Sequence, residues 1–431
     1  MYSQWVEPSD DDLRAAVASM VGMEDAAASV QIRSSSSEAG SNVGDGLTSV
    51  LRAITVQYQI DGGEKREARI MGKLFPVGAN MSQSWDSMKF FERETEFYGR
   101  LRGVLDEAAA KLGESPLPFP EVYRCRDGEK VVLMEDLKVS GFHLNDAHDK
   151  SRKLALNHEE MELTLRELAR VHAVSHHVLQ TYPGGMEAFA RDYPHVEQGG
   201  RNGLYQTLEP DIVLKNDQLY HPMLEKAATA AASADGDVAP DIIARFRAFI
   251  PQASQRCSPS RNPDNGKLLV IGHGDLWSPN LMFRSAGDNL QLRMIDFQEC
   301  MLTRPNTDLA CLMLNSVLPG DREEHLQAWM KLYHDELTRL LLKFGHDCRE
   351  TYTLEDLWQD YRNGIGHGFM WGVCNAVGML STKSLAASVS GGGADSEPAG
   401  LQQRERYSNV QVVAHQRIVS LIKEGAEYGL F

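Results

Sequence analysis

Asp275 stands five residues ahead of Asn280 in the run Gly272-His273-Gly274-Asp275-Leu276-Trp277-Ser278-Pro279-Asn280, and sixteen residues further on Asp296 opens an Asp-Phe-Gln tripeptide. Phosphoryl transfer asks for such a kit: a carboxylate to accept the proton of an attacking hydroxyl, and an Asp and an Asn to hold magnesium against nucleotide phosphates. The spacing predicts Asp275, Asn280 and Asp296 as a catalytic set, with Asn280 and Asp296 as metal ligands and ATP and Mg2+ as cofactors. A lone His-Gly-Asp or Asp-Phe says little, because Asp and Asn also make turns and helix caps. The ordered set carries the inference.

Such residues need elements to position them. In Leu51 to Ile60, Ile54, Val56, Tyr58 and Ile60 alternate with Thr55, Gln57 and Gln59, the period of a half-buried strand, and Asp61-Gly62-Gly63 turns it. The return strand, Ala68 to Phe75, puts Met71, Lys73 and Phe75 on one face, so Lys73 lies in an apolar stripe. A helix is predicted over Trp85 to Leu101, where Phe90, Phe91, Phe97 and Tyr98 lie three or four positions either side of Glu94. An unpaired buried charge is costly, so Lys73 and Glu94 are expected to pair with each other.

A second hairpin, Glu121 to Arg126 and Val131 to Met134, runs into Glu135-Asp136-Leu137. Helices are expected from Glu159 to Gln180 and through most of the chain to Ile250. Three short β segments follow at Lys267 to Ile271, Leu281 to Arg284 and Leu292 to Ile295. Beyond Asp308 the pattern is helical, apart from a glycine- and serine-rich loop at Ser388 to Gly400. Near the front, residues 11 to 30 read as helical and Ser34 to Gly46 as a flexible or tightly turning loop. The expected domains are residues 1–40, a helical extension and loop; 41–137, a nucleotide-binding lobe; and 138–431, a lobe with the catalytic loop, metal and acceptor sites.

Several of these motifs resemble the ecdysteroid kinase-like family, also called CHK kinase-like, within the choline and aminoglycoside kinase superfamily. They are His273-Gly-Asp-Leu-Trp, Asn280-Leu-Met-Phe, Ile295-Asp-Phe-Gln298 and Asp308-Leu-Ala, with Phe91-Glu-Arg-Glu94 and Tyr98, Met134-Glu-Asp-Leu137 and Leu168-Ala-Arg-Val-His172-Ala. The resemblance implies an α+β, protein-kinase-like two-lobe fold: a small antiparallel β-sheet lobe with one key helix, and a larger, mainly helical lobe. It implies that Lys73 contacts the α- and β-phosphates, oriented by Glu94, and that the backbone of Glu135 to Leu137 meets adenine. It makes Asp275 the base and Asn280 and Asp296 the magnesium ligands, with His273 and Asp308 bracing the loop. Trp277 stands where protein kinases usually carry lysine, and no Ala-Pro-Glu follows Asp296, which argues against a protein substrate.

Two readings stay open. Gly44, Gly46 and Ser49 form part of a glycine-rich phosphate cradle, or a plain strand entry. Gly364, Gly368 and Gly372 recur every four residues in a helix over Tyr361 to Leu380, flanked by His367, Phe369, Met370 and Trp371. That ridge lines an acceptor pocket or is a seam for close helix packing.

Composition bounds the rest. A chain of 431 residues suits two packed lobes with a cleft, as domains usually run about 100 to 200 residues. Sixty acidic against 44 basic residues give a net charge of -16, which repels nucleic acid. No run reaches the roughly 18 uninterrupted apolar residues of a membrane span. The front of the chain does not read as a signal peptide. Six scattered cysteines without a CxxC pair fit reduced thiols in the cytoplasm, and His172 with His176 fit core or surface histidines better than a zinc site. The expected activity is transfer of the ATP γ-phosphate to a hydroxyl of an ecdysteroid-like or other small molecule, with no protein partner implied. The alternatives are a choline, ethanolamine or aminoglycoside kinase, and a nucleotide-binding pseudokinase scaffold.

Overall fold

Strand alternation builds the front of the molecule, as seen in a computed structural model that describes residues 5–40, 49–75, 89–125, 130–144, 155–197, 210–233, 237–257, 268–287, 289–380 and 401–431. The chain divides into two units, Met1–His143 with Met282–Glu299, and Leu144–Leu281 with Cys300–Phe431.

The first unit opens with α1 (Asp10–Met20). A capping box starts it: the Ser9 hydroxyl accepts the Asp12 N–H and the Asp12 carboxylate accepts the Ser9 N–H. Strands β1 (Val30–Ala39), β2 (Val50–Ile60) and β3 (Arg66–Leu74) follow, then α2 (Phe90–Glu96). A π turn over Phe97–Leu101 leads from α2 into α3 (Arg102–Lys111), and β4 (Val122–Cys125) and β5 (Val131–Glu135) complete an antiparallel sheet of order β1-β2-β3-β5-β4. Because side chains alternate across the sheet, Ile54, Val56, Tyr58, Ile70, Leu74, Val131 and Leu133 share one face. Leu13, Ala16 and Val17 of α1 cover it. Lys73 points to the opposite face.

One expectation fails here. Of the run Ser34 to Gly46 read as a loop, Ser34 to Ala39 belong to strand β1, which pairs with β2 from Val30 opposite Ile60 to Ala39 opposite Arg52. Its side chains from Ser34 onward are exposed, so no hydrophobic alternation marks it. The backbone ladder to β2 makes it a strand, because an edge strand can be held by main-chain bonds alone. The arginine Arg52 adds a bond to the Ser37 carbonyl at 2.8 Å. Residues 10–39 are therefore built into the sheet unit.

After β6 (His143–Leu144) the second unit begins with α4 (His158–Thr181), started by an Asn157–Glu160 capping box, then α5 (Gly185–Asp192), α6 (Pro210–Ala232), α7 (Pro240–Phe249) and β7 (Val270–Gly272). The chain re-enters the first unit as β8 (Leu281–Ala286) and β9 (Asn289–Met294). It returns as β10 (Met301–Thr303), antiparallel to β7, and ends in α8 (Pro305–Ser316), α9 (Pro319–Lys343), α10 (Leu354–Leu380) and α11 (Leu401–Glu427). Every residue of α8 is buried, so it is the axle of this unit.

The glycine ridge of α10 is a packing seam. A Cβ at Gly364 would overlap the Asn306 side chain, and one at Gly368 would overlap the Ala310 carbonyl of α8. A Cβ at Gly372 would stand 2.9 Å from the Leu421 side chain of α11. A sheet with one key helix in one unit and a mainly helical second unit is the α+β class expected.

Candidate functional site

In the first unit β3 places Lys73 between Leu51 of β2 and Val132 of β5 in register. Its ammonium lies 2.6 Å from Glu94 Oε2 and 2.6 Å from Asp296 Oδ1. The pairing expected between Lys73 and Glu94 is present, and Asp296 joins it. Burial opposes the lysine charge, but the carboxylates of Asp296 and Glu94 outweigh burial and hold its pKa above the ordinary lysine value. Burial pushes the Glu94 carboxyl up, and Asp296 adds to this against the pull of Lys73. The Asp296 side chain keeps 29 % of its surface exposed, against 1 % for Glu94, so Asp296 alone of the two has an open edge to offer a metal ion.

Asp296 sits at φ 69°, a left-handed conformation that aspartate tolerates better than most residues. The residues after it pin this turn. Phe297 stacks on Phe97 with centroids 3.9 Å apart. Arg93, the neighbour of Glu94 on α2, donates to the Gln298 carbonyl at 2.9 Å and pairs with Glu299 Oε2 at 3.2 Å. Thus α2 grips both Lys73 and the segment that carries Asp296. Burial pushes the Glu299 carboxyl up to about 7, with Asp296 adding to the rise and Arg93 opposing it. Sequence reasoning missed the Arg93–Glu299 pair. A second buried charge one position before Glu94 was the available signal.

Glu135 closes β5, its N–H donating to the Glu121 carbonyl at 2.8 Å. Asp136 is buried, takes the Arg69 Nε–H at 2.8 Å, and begins a turn in which the Leu137 carbonyl accepts the Phe142 N–H at 2.8 Å. Ser49 is buried directly before β2. Gly44 and Gly46 lie outside the described residues, as do Trp85, the Asp127-Gly128 turn and the Ser388 to Gly400 loop.

Asp275 and Asn280 belong to the second unit. Asn280 Nδ2 donates to the Asp275 carbonyl at 2.9 Å and to Asp275 Oδ2 at 3.1 Å, which leaves its Oδ1 as the acceptor end of the amide. The loop hangs on Asp308 of α8, whose oxygens accept the N–H of His273 at 2.7 Å and of Gly274 at 2.8 Å. Asp308 also meets His172 Nε2 at 3.0 Å, and His172 Nδ1 meets the Tyr333 hydroxyl at 2.6 Å. Burial works to raise the Asp308 pKa, but the hydrogen bond and charge of His172, with His273 and the Gly274 N–H, hold it below the ordinary carboxylate value. His172 is thus a core histidine, and His176 another, bonded to the Leu269 carbonyl at 2.8 Å. Among the described residues no three His, Cys, Asp or Glu side chains gather to hold a metal by themselves.

Comparison with known proteins gives the class. The model of the ecdysteroid kinase-like family matches residues 43–346. The chain belongs to the ecdysteroid kinase-like family. It is a small-molecule kinase, a phosphotransferase acting on a hydroxyl group. No curated protein matches it. Among solved structures it is similar to an ethanolamine kinase of Plasmodium vivax at 12% identity, covering 96% of this chain and 92% of that one with a TM-score of 0.40. A macrolide 2'-phosphotransferase from Brachybacterium faecium aligns at 13% identity over 94% of this chain and 98% of its own, TM-score 0.35. A microcompartment-associated aminopropanol kinase aligns at 14% identity over 92% and 94%, TM-score 0.34.

Proposed function

We propose that the protein transfers the γ-phosphate of ATP to a hydroxyl of an ecdysteroid-like or other small-molecule acceptor. In this reading Asp275 accepts the hydroxyl proton, and Asn280 Oδ1 and Asp296 hold Mg2+. Lys73, oriented by Glu94, contacts the α- and β-phosphates, the backbone of Glu135 to Leu137 meets adenine, and Gly44, Gly46 and Ser49 lie over the phosphates. Bound Mg2+ neutralises charge on the β- and γ-oxygens.

The observation that carries the reading is the buried lysine shared by Glu94 and the half-open Asp296 at 2.6 Å. A lysine balanced by two carboxylates is oriented, and one of those carboxylates keeps an exposed edge for a cation. The Asn280 amide supports it too, since its donor end is spent on Asp275. The six free thiols support a reducing, cytoplasmic setting.

The test is ADP release by the purified protein with ATP and Mg2+ across ecdysteroids, other sterols, choline, ethanolamine and aminoglycosides, with Asp275→Asn as control. Turnover on the sterols that vanishes in the control is expected. Turnover confined to the cationic acceptors would overturn the acceptor class, and ATP binding without turnover on any acceptor would favour a scaffold.

A further inference from the structure

We infer that His367, on α10, is a positioning residue for Asp275. The inference rests on the reading of Asp275 as the base, and it begins at Gly274. That residue sits at φ +83°, where a side chain would be strained, so hydrogen-bond partners rather than a Cβ set the direction of its peptide groups. Its N–H donates to Asp308 Oδ1 at 2.8 Å, and its carbonyl accepts from His367 Nε2 at 3.0 Å.

The Gly274 carbonyl belongs to the peptide entering Asp275, and the Asp275 carbonyl belongs to the peptide leaving it. Asn280 Nδ2 holds the second of these at 2.9 Å. His367 and Asn280 therefore pin the two peptide planes either side of one Cα. Two fixed planes fix φ and ψ, and with them the direction in which the Asp275 side chain leaves the backbone.

The glycine seam explains how α10 supplies this bond. Gly364 and Gly368 flank His367, and the absence of their side chains lets α10 lie against Asn306 and Ala310 of α8. That same helix carries Asp308, the other hold on Gly274. One close-packed helix pair thus grips Gly274 by its N–H from α8 and by its carbonyl from α10. A carbonyl only accepts, so Nε2 carries the proton. His367 is buried at 4 % exposure, and burial lowers its pKa, with the Gly274 bond and Asp308 opposing; the ring is kept neutral in the Nε2–H form.

Two variants separate positioning from packing. His367→Phe fills the space without a donor, and His367→Gln returns an Nε2–H. With the acceptor identified in the panel, His367→Phe lowers kcat roughly 10- to 100-fold at unchanged KM for ATP, because the base is misplaced while nucleotide contacts persist. His367→Gln restores most of the loss. In an Asp275→Asn background His367→Phe costs nothing further, as residues acting through one group are not additive. A further full loss there, a wild-type kcat in His367→Phe, or no recovery in His367→Gln overturns the inference.

Two readouts need no turnover. Nitrogen-15 spectra of the wild-type ring at neutral pH should show His367 neutral and protonated on Nε2, and a neutral ring protonated on Nδ1 instead sinks the idea. The backbone amide shift of Asp275 moves in His367→Phe and stays near its wild-type position in His367→Gln; no movement in His367→Phe overturns the inference. A silent acceptor panel would count against the proposed function alone, and these spectra would still decide the role of His367.

Discussion

Lys73 is held by two carboxylates at once, so removing it does more than delete the proposed phosphate contact. Lys73→Met leaves Glu94 buried beside Asp296 without a cation, and breaking a buried pair in this way destabilises by about 3–5 kcal/mol. The urea midpoint of the variant should fall accordingly, and an unchanged midpoint would mean that the pair adds nothing to stability. Glu299 gives a pH signature. Its carboxyl is pushed up to about 7 in the fold, so the folded chain holds this proton more tightly than the unfolded chain does. Its contribution to stability is full below the ordinary carboxylate range and is lost as the pH rises through about 7. Glu299→Gln should therefore flatten the fall in stability between about pH 5 and 7, measured by denaturation across that range. Parallel curves for the two proteins would show that Glu299 is ionised throughout.

At the scale of elements, α1 and β1 are the parts whose importance lay hidden. The apolar residues of β2, β3 and β5 that face away from Lys73 need a cover, and Leu13, Ala16 and Val17 provide it. Leu13 is 2 % exposed, so Leu13→Ala should cost about 2–5 kcal/mol, read as a lower Tm, with ATP binding retained once the protein is folded. A Tm within error of the wild type would mean that α1 is a loose appendage. The seam of α10 makes a similar forecast. Gly368→Ala meets the Ala310 carbonyl, which is backbone and cannot rotate away. Overpacking of this kind costs about 1–3 kcal/mol, and the strain should also lower kcat by disturbing the His367 bond. Equal stability and kcat would show that α10 shifts freely. Glu94 was legible because its phenylalanine neighbours recur at helical spacing, whereas most of β1 was not, because from Ser34 onward its side chains face water and carry no apolar alternation.

The whole molecule is two units sharing one chain that crosses between them more than once. The first unit is completed only by Met282–Glu299, which bring Phe297 onto Phe97 and seat the Met294 N–H on the Pro118 carbonyl at 2.7 Å. A fragment ending at His143 should therefore unfold without a cooperative transition, because it leaves Phe97 and Phe119 uncovered. Sharp, reversible melting of that fragment would refute the claim. The net charge of -16 belongs to this scale as well, and it predicts no measurable retention on duplex DNA at about 150 mM salt.

The candidate site was legible in the sequence because residues proposed to meet phosphate and metal must be particular types at particular spacings, and because Lys73 and Glu94 betray themselves as charges inside apolar patterns. Local periods also yielded the hairpins, while the α+β class came from the family resemblance. Tertiary structure decided what sequence distance conceals. His367 reaches Gly274 across ninety-odd positions, Arg93 finds Glu299 across 206, and a polar run becomes β1 only beside β2. None of these partners lies within a turn of the other, so no periodicity encodes them. They follow from buried groups seeking hydrogen bonds once the helices and strands have packed.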